Sequence, residues 1–572
     1  MKLLVATLAS AVLVSGCTTV PRAFTAQVPT AGPIEQGAQV AGSNIDQFIR
    51  VIARPPSPGM TATQIVQGFL EASASFDGDH AVAREYLTPA ASASWDPSLA
   101  VTVYEGVPAL TESGPSVRLR VTQAGTIRAN GRYEVRAPGS EVAATFRLVE
   151  TNEGLRIEAL ADGLLLSQTD VDRAFRAYAL YFFDPSFQIL VPDSRLVPVV
   201  GPGLATTLVR RLLDGPNDWL RPAVRTGFPD GVGLNIDAVL VDGGVARVDL
   251  DASAQLADDA ARRALSQQLV WTLRQLPDVQ SVDITAAGQP FFVPGVGNPQ
   301  PRDSWPEVDP SGLAPGAAAY VASTIGVRKL TSDGTVAVDG QAGTKEPLLT
   351  DIAVSLAASR IIGVDVDGRV WSGALTQGAA LFEFTAAVDP TAVAFDGAVN
   401  VWIVDGAGSV AVYSPSGQAF PIAVQGVDEG AVLKAAVPSR DGTRAALLIE
   451  RGPRTNVYLA RIVRTSGSAR VGISVQTPIR VESRLVEVVD VAWSSADSLA
   501  VLGSESAGAL QVVEVDLGRG SIAPQGAPEG PVSLAASPGL PTLVAAADGV
   551  VYDNTTGSWS RRVNASSPTY PG

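Results

Sequence analysis

Val354-Ser-Leu-Ala-Ala-Ser359 and Val532-Ser-Leu-Ala-Ala-Ser537 are the same six residues at two distant points of the chain. Each precedes short alternating strands separated by turns, as in Ile361–Trp371. Related phrases recur between them at about 40-residue spacing, with one longer gap, a period typical of four-stranded propeller blades. These phrases are Ala392-Val-Ala-Phe-Asp396, Lys434-Ala-Ala-Val-Pro-Ser439 and Val491-Ala-Trp-Ser-Ser495. Roughly 250 residues hold about six such blades, so the sequence predicts an all-β propeller of about six blades over residues 315–565.

The chain before this region has a different pattern, in which helices precede strands. Ile65, Phe69 and Leu70 recur at helical spacing, and Asp79 is placed to cap a second helix. Alternating strands follow from about residue 100. The order of elements predicts a first α+β domain over residues 61–165.

A second block predicts another α+β domain over residues 170–293. Pro192-Asp-Ser-Arg195 is interpreted as a turn, Leu204–Leu213 as a helix, and Asp242-Gly-Gly244 as the turn of a hairpin. Residues 294–314 are rich in proline and glycine and are expected to form a linker. The parts on either side of this linker are then expected to fold separately. The predicted architecture is therefore multidomain, with two N-terminal α+β domains followed by a propeller.

The amino end has the pattern of an export signal. A single lysine, Lys2, precedes an apolar run from Leu3 to Val14, which is too short to span a bilayer because that needs roughly 20 residues. Val14-Ser-Gly-Cys17 resembles the bacterial lipobox. That resemblance implies a lipoprotein signal peptide over residues 1–16 and a mature chain starting at Cys17, with diacylglycerol on the sulfur and an acyl chain such as palmitate on the amine.

Residues 17–60 are small, polar and proline-bearing, which predicts a flexible stalk. Two or more acyl chains anchor a protein stably. The sequence therefore predicts a lipid-anchored protein on the extracytoplasmic face of the cell membrane.

The composition excludes several classes of function. The 572 residues carry a net charge of −15 and a pI near 4.7, which disfavours binding to nucleic acid. Cys17 is the only cysteine, so an acylated chain has no thiol for disulfides, zinc sites or nucleophilic catalysis. His80 is the only histidine, and no Gly-x-Ser-x-Gly motif accompanies it. We therefore expect no catalytic, cofactor-binding or metal site, and a protein that is not an enzyme.

Three groups of acidic residues are considered as possible metal sites, because carboxylates at short spacing occur in calcium sites. For each group a structural interpretation is favoured: a helix terminus for the first, a hairpin turn for the second and a solvated strand face for the third. The groups are Asp77-Gly-Asp79-His80, Asp365-Val-Asp367-Gly368 and Asp249 with Asp251.

Four tryptophans are expected near corresponding blade positions, where they pack between blades; an aromatic patch facing a ligand is the alternative. They are Trp371, Trp402, Trp493 and Trp559.

Taken in this order, the pieces resemble the actinobacterial LpqB lipoproteins. The resemblance rests on the lipobox at Cys17, on Gly68–Thr88 with Ser94-Trp-Asp-Pro97, on Leu212-Leu-Asp-Gly-Pro216 with Val248–Asp251 in a GerMN-like block, and on the propeller-like region. It implies an accessory protein of the MtrAB two-component system, which contacts the extracellular domain of the sensor histidine kinase MtrB and modulates cell-wall and division signalling.

Two functional hypotheses follow. The first is a membrane-anchored binding protein whose partner is a kinase ectodomain, as the resemblance implies. The second is an extracytoplasmic protein that binds or hydrolyses cell-wall glycan, which requires two carboxylates about 5–10 Å apart. Converging carboxylates and exposed aromatic rings in the propeller funnel favour the second hypothesis, whereas a funnel lined by small residues favours the first.

Overall fold

A computed structural model describes residues 53–199, 203–385, 389–422, 424–466, 471–482, 484–505, 508–555 and 557–572. The predicted signal peptide (1–16), Cys17 and most of the predicted stalk (17–60) lie outside these ranges. In the part of the chain that the structure describes, no helix is long and apolar enough to cross a membrane. The described residues form an amino-terminal domain (53–174), a middle domain (175–314) and a propeller (315–572), which belong to one compact unit.

The amino-terminal domain packs helices on an antiparallel sheet. Helix α1 (Ala62–Ser73) starts with a capping box, in which the side chains of Thr61 and Gln64 each accept the other residue's backbone N–H. Its apolar face is buried against the sheet. The other helices are α2 (Ala81–Arg84), α3 (Pro89–Ser94) and α4 (Gln168–Ala174). The strands are Ala100–Ser113, Ser116–Arg128, Tyr133–Val135, Glu141–Thr151, Gly154–Ala159 and Leu164–Ser167, and the last of them pairs in parallel with the first.

The predicted cap of the second helix is wrong. His80, not Asp79, precedes α2, and its backbone is left-handed with φ 58°, so no side chain caps this helix. Asp79 stands one residue too early, and its carboxylate accepts a 2.7 Å hydrogen bond from Arg84. The acidic residue therefore stabilises the turn through a side-chain ion pair.

The middle domain begins with a long hairpin, Phe175–Phe183 paired with Leu190–Pro198. The turn predicted at residues 192–195 is wrong, because Asp193 and Arg195 lie within the second strand and pair with Leu180 and Tyr178. The chain reverses at residues 184–189. There the Asp184 carboxylate accepts backbone N–H groups from the loop.

Two helices and a small mixed sheet complete the middle domain. Helix α5 (Leu204–Leu213) lies where the sequence predicts it, and helix α6 (Asp259–Leu273) is capped by Asp258, which accepts the Ala261 N–H at 2.8 Å. Val245–Leu250 pairs in parallel with Ser281–Ala286. The remaining strands are Leu240–Asp242, Gln289–Pro290 and Gln300–Pro301, and single 3₁₀ turns occur at Arg221–Ala223, Ala252–Leu256 and Pro306–Val308. A further 3₁₀ turn, Gln341–Gly343, belongs to the propeller.

Residues 294–314 pack on the middle domain, contrary to the expectation of a free linker. Gln300–Pro301 pairs with the sheet, and Trp305 is buried with its indole N–H bonded to Gln300. Trp271 in α6 donates to the Trp305 carbonyl at 3.0 Å. A single apolar core then continues from the middle domain into the propeller. The expectation that the two halves fold separately conflicts with this shared core.

The propeller consists of six four-stranded antiparallel sheets in the described residues, here called blades 1 to 6. Given from the inner strand outward, their strands are Ser566–Thr569, Tyr320–Ser323, Gly326–Thr331 and Gly334–Ala337 in blade 1; Leu349–Val354, Arg360–Asp365, Val370–Ala374 and Phe382–Thr385 in blade 2; Pro390–Phe395, Val401–Asp405, Val410–Tyr413 and Ala419–Pro421 in blade 3; Val432–Pro438, Arg444–Arg451, Arg454–Ser466 and Val471–Arg480 in blade 4; Glu487–Trp493, Ser498–Ser504, Gln511–Asp516 and Ile522–Gly526 in blade 5; and Pro531–Ala535, Thr542–Ala546, Val550–Asn554 and Ser560–Asn564 in blade 6.

The inner strands of neighbouring blades contact one another and close a ring. Blade 1 takes its inner strand, Ser566–Thr569, from the far end of the chain and its other strands from residues 320–337. The predicted boundary at residue 565 leaves this closing strand out. The fold class predicted from the sequence, two α+β domains followed by a propeller, is confirmed.

The two identical hexapeptides occupy different positions in their blades. In blade 2 the residue after the inner-strand bulge is Asp351, whereas in blade 6 it is Ser533. Val354-Ser355 therefore corresponds to Ala536-Ser537, and the two six-residue phrases are offset by four residues. The blades do repeat in structure, but the two identical phrases do not occupy equivalent positions in that repeat.

The tryptophans are also not equivalent, contrary to expectation. They lie on a third, a second and a first strand, and just before a fourth strand. The indole groups of Trp371 and Trp402 donate to Asp365 and Asp396 at turns, while those of Trp493 and Trp559 donate to the Val437 and Gln525 carbonyls of the preceding blade. Each ring thus stabilises its own local turn or blade contact.

Candidate functional sites: the domain junction and the propeller channel

His80 is buried in a mixed aromatic environment. Its side chain is 6% exposed, Phe76 lies 4.7 Å away between ring centroids, and Trp95 lies 6.0 Å away. Its Nδ1 is buried with no hydrogen-bond partner. Burial lowers the pKa of this imidazole below its ordinary value, although the charge of Asp79 opposes the shift. The site is a packed helix terminus rather than a solvent-facing metal position.

The other acidic groups are engaged in local hydrogen bonds. Asp365 accepts backbone N–H groups of Asp367 and Arg369 and the indole N–H of Trp371, as expected for a hairpin turn. Asp249 and Asp251 are half-buried rather than solvated, because their carboxylates bond to neighbouring loops. Among the described residues, no group of three or more His, Cys, Asp or Glu side chains is placed to hold a metal ion.

A buried ion pair joins two domains. Asp193 and Arg195 are each 2% exposed, and two hydrogen bonds of 2.6 and 2.9 Å link the carboxylate to the guanidinium. Asn217 donates to both carboxylate oxygens, from its backbone at 2.8 Å and from its amide at 2.6 Å. Arg195 also donates to the Asn130 carbonyl of the amino-terminal domain at 2.7 Å. These contacts satisfy the buried charges.

The same segment reaches the propeller two residues later. The indole N–H of Trp219 donates to the Thr477 carbonyl at 2.9 Å, and Arg461 donates to the Trp219 carbonyl at 2.7 Å. The guanidinium of Arg132, from the amino-terminal domain, lies 5.9 Å from the Trp219 ring. We call Asp193, Arg195, Asn217 and Trp219 the domain junction, because together they contact all three domains.

The middle domain also has an open groove of about 660 Å³ between α6 and the hairpin loop. Phe187 lines it with 43% of its surface exposed, and the loop held by Asp184 fixes its left-handed backbone at φ 57°. Gly227 also lines the groove, and it packs so closely on α6 that a Cβ there would come within 2.5 Å of Ala264. Arg263 and Glu307 add one charge of each sign. The groove offers an apolar floor with charged edges.

The six inner strands surround a channel of about 450 Å³, a volume within the usual range for small-ligand sites. In blades 2 to 6 a β-bulge near the start of the inner strand precedes a residue that lines the channel. In chain order these residues are Asp351, Ala392, Ala435, Asp490 and Ser533. Blades 2 and 5 are opposite in a ring of six. The two carboxylates therefore stand on opposite sides of the channel.

Each channel carboxylate is bonded to the inner strand of a neighbouring blade. Ser567 donates to Asp351 at 2.9 Å, and the backbone N–H of Leu534 donates to Asp490 at 2.8 Å. Burial raises the pKa of Asp490 to about 7, and the charge of Asp351 adds to the rise. Burial also raises the pKa of Asp351. Both acids thus bond neighbouring blades, and both have a raised pKa, so they bind a proton at higher pH than an ordinary aspartate.

The two ends of the channel differ. Where the inner strands finish, Arg440 bridges three blades by donating to Pro571, Ser537 and Trp493 at 3.2 to 3.4 Å. Burial lowers the pKa of Arg440 to about 10. Where the inner strands start, Val489 and Val532 are 40% and 49% exposed, and Lys434 lies 3.5 Å from Glu450. The channel is closed by Arg440 and open at an aliphatic rim.

The sequence did not identify the channel acids or the domain junction. Asp490 stands immediately before one recurring phrase and Asp351 three residues before another, so the phrases alone do not align the two acids, whereas the bulge in each inner strand does. The sequence predicts a turn at Asp193 and Arg195, because proline and aspartate are common turn residues. Asp193 and Arg195 can occupy a buried strand because they form an ion pair and because Asn217 donates to the carboxylate. Asn217 is 22 residues further along the chain than Arg195, so the local sequence pattern does not show this contact.

Family models match the three domains in order. They are described as the N-terminal domain of lipoprotein LpqB (residues 55–172), a sporulation and spore germination domain (179–291) and the β-propeller domain of lipoprotein LpqB (326–571). Lipoprotein LpqB of Thermobifida fusca is 32% identical, over 99% of this chain and 98% of its own. This chain belongs to the LpqB lipoprotein family.

A second LpqB relative and a solved structure are also similar to this chain, the first over nearly its whole length and the second over less than half of it. Lipoprotein LpqB of Streptomyces avermitilis is 27% identical, over 98% of this chain and 97% of its own. Among solved structures, TolB from Acinetobacter baumannii matches with a TM-score of 0.32 and 14% identity, over 45% of this chain and 67% of that one. The expected membership of the LpqB family is confirmed.

Proposed function

We propose that this LpqB lipoprotein is a lipid-anchored, extracytoplasmic binding protein that modulates a sensor histidine kinase by contacting its extracellular domain. The observation that carries this proposal is the domain junction. Buried hydrogen bonds from Asp193, Arg195 and Trp219 hold three domains in a fixed arrangement. A fixed arrangement suits recognition of a folded partner, because little conformational entropy is lost on binding. The identity of the partner comes from the LpqB resemblance.

The groove beside Phe187 is the surface we assign to the partner. Exposed aromatic side chains at the edge of a concave apolar site are typical of binding hot spots. The partner and this protein share one membrane layer, which raises their effective concentration. A modest affinity is therefore sufficient for regulation.

The test uses a soluble form that starts at residue 53, because the Tyr86 hydroxyl donates to the Arg54 carbonyl at 2.8 Å and a later start removes that bond. This protein is titrated against the purified kinase ectodomain by interferometry. Phe187→Ala is expected to weaken binding about tenfold or more, as for a hot-spot aromatic residue. Leu256→Ala is the control, since Leu256 is 85% exposed on the same domain but outside the groove. Equal affinity of both variants contradicts the assigned surface, and absence of binding in any format contradicts the proposed partner.

The alternative function, binding or hydrolysis of cell-wall glycan, has one observation in its favour. Asp351 and Asp490 stand opposite each other in the channel, and the pKa of Asp490 near 7 resembles that of a general acid. The open rim, however, presents Val489 and Val532 where a sugar-stacking site presents aromatic rings. Release of soluble fragments from purified cell wall, lost in Asp490→Asn, is the outcome that supports this alternative.

A further inference from the structure

The propeller channel has the features of a ligand site that are independent of any protein partner. It is a concave cavity of about 450 Å³, closed at one end by Arg440 and open at the other. Two carboxylates line it from opposite blades, while the equivalent positions of blades 3, 4 and 6 carry Ala392, Ala435 and Ser533. The acids are therefore not part of the repeat that the blades share.

The hydrogen bonds of the channel leave the carboxylates with capacity for further donors. Each oxygen of Asp490 accepts one backbone N–H, from Val491 and Leu534, and Asp351 accepts from Ser567. A carboxylate oxygen accepts about two hydrogen bonds. Additional donors inside the channel can thus bind without displacing the bonds that hold the blades together.

The cationic groups near the channel already have acceptors. Lys434 lies at the open rim, 3.5 Å from Glu450, and Arg440 donates to three acceptors at the closed end. The remaining lining residues are mostly small and uncharged. Among the residues that the structure describes, the channel interior therefore has no counter-charge for its two acids, and the net charge of −15 draws small cations toward the protein.

We propose that the channel binds a small organic dication with two primary ammonium groups, one on Asp351 and the other on Asp490. Ammonium groups supply three donors each, which suits the unused acceptor positions of the two acids. An alkyl chain between the ammonium groups fits the alanine-lined middle of the channel. The site is separate from the Phe187 groove and does not depend on the kinase hypothesis.

The proposal predicts that ligand binding removes a proton from the protein. Because burial raises the pKa of Asp490 to about 7, part of the population carries that proton at neutral pH. An ammonium group favours the ionised carboxylate. Affinity is therefore expected to increase from pH 6 to pH 8, and the proton is released to the buffer.

The experiment is isothermal titration calorimetry of the protein from residue 53 onward with α,ω-diaminoalkanes from ethylenediamine to 1,8-diaminooctane. We expect an optimum chain length, because two fixed carboxylates set one span. Asp351→Asn and Asp490→Asn should each reduce the affinity of the best diamine about tenfold to a hundredfold, to that of propylamine. Binding heats in phosphate and Tris should differ for the wild type and agree for Asp490→Asn.

Asp367→Asn is the matched control, because it removes one exposed carboxylate from the same propeller outside the channel. Asp351→Ser and Asp490→Ser are second variants, because serine occupies the equivalent position of blade 6, Ser533. A serine variant that folds but does not bind the diamine shows that the carboxylate is needed for binding rather than for folding. Affinity that is independent of diamine length, or reduced equally by Asp367→Asn, overturns the proposal. So does the absence of diamine binding in a protein whose channel binds Ca²⁺.

Discussion

The raised pKa of Asp490 makes a specific prediction about stability and pH. A carboxyl group whose pKa is higher in the folded than in the unfolded protein keeps its proton longer in the folded state. Stability is then unaffected below the ordinary pKa of 3.8, falls as the pH rises toward about 7, and stays low above that value. Replacing Asp490 with Asn keeps an acceptor for the Leu534 N–H but removes the titration.

The magnitude follows from the same pKa difference. Each pH unit in that window costs about 1.4 kcal/mol, so the full interval corresponds to about 4 kcal/mol. Only the part between pH 5 and pH 7 is accessible far from acid denaturation, and it amounts to about 2–3 kcal/mol.

The measurement is the difference in free energy of unfolding between Asp490→Asn and wild type, from urea transitions followed by tryptophan fluorescence at several pH values. We expect the variant to gain stability relative to wild type as the pH rises from 5 to 7, and the gain to level off by pH 8. Asp367→Asn reports the generic effect of losing one negative charge. A difference that is constant with pH, or that shrinks as the pH rises, refutes the assignment of a raised pKa to Asp490.

Three further predictions follow from other parts of the molecule. Cys17→Ala is expected to abolish labelling by an alkyne fatty acid, because the lipobox resemblance implies that Cys17 is the acylated residue; continued labelling of the variant contradicts this. Arg195→Met leaves the buried Asp193 carboxylate without its cation, which costs about 3–5 kcal/mol and should speed proteolysis between domains, whereas Arg210→Ala removes an exposed pair worth about 1 kcal/mol or less; similar proteolysis of the two variants contradicts the role of the junction. His80 is the only histidine, so its NMR titration is a single signal, and its midpoint is expected below 6.5 because burial disfavours the cation; stability should fall as the pH drops from 6.5 toward that midpoint and change no further below it, and a midpoint above 6.5 is inconsistent with the buried position.

The sequence predicts the architecture well because periodicity and turn residues are local. The apolar spacing of Leu204–Leu213 predicts its helix, and Gly243 and Gly244 allow the hairpin turn because glycine adopts positive φ at no steric cost. The predictions that are wrong concern segments whose structure depends on residues distant in the sequence. Asp193 and Arg195 become a strand through Asn217, and the proline-rich segment packs through Trp305 on Trp271.

The candidate sites were less accessible to sequence reasoning, for a related reason. Asp351 and Asp490 matter because blades 2 and 5 are opposite, and that relation exists only once the ring is closed. The two identical hexapeptides suggest a repeat, but they are offset by four residues from the repeat of the blades. A bulge, which adds one residue to a strand, has no composition signal here, since the bulged positions include Thr391, Lys434 and Val532.

Blade 1 cannot be completed until the last part of the chain is synthesised, because its inner strand is Ser566–Thr569. Ribosomes make the amino end first, so residues 320–337 are available long before the strand that completes their blade. Until residues 566–569 arrive, Tyr320–Ser323 has an unpaired edge, and Asp351 lacks the Ser567 hydroxyl. A nascent or truncated chain therefore presents an open edge to chaperones and proteases, and only a full-length chain hides it.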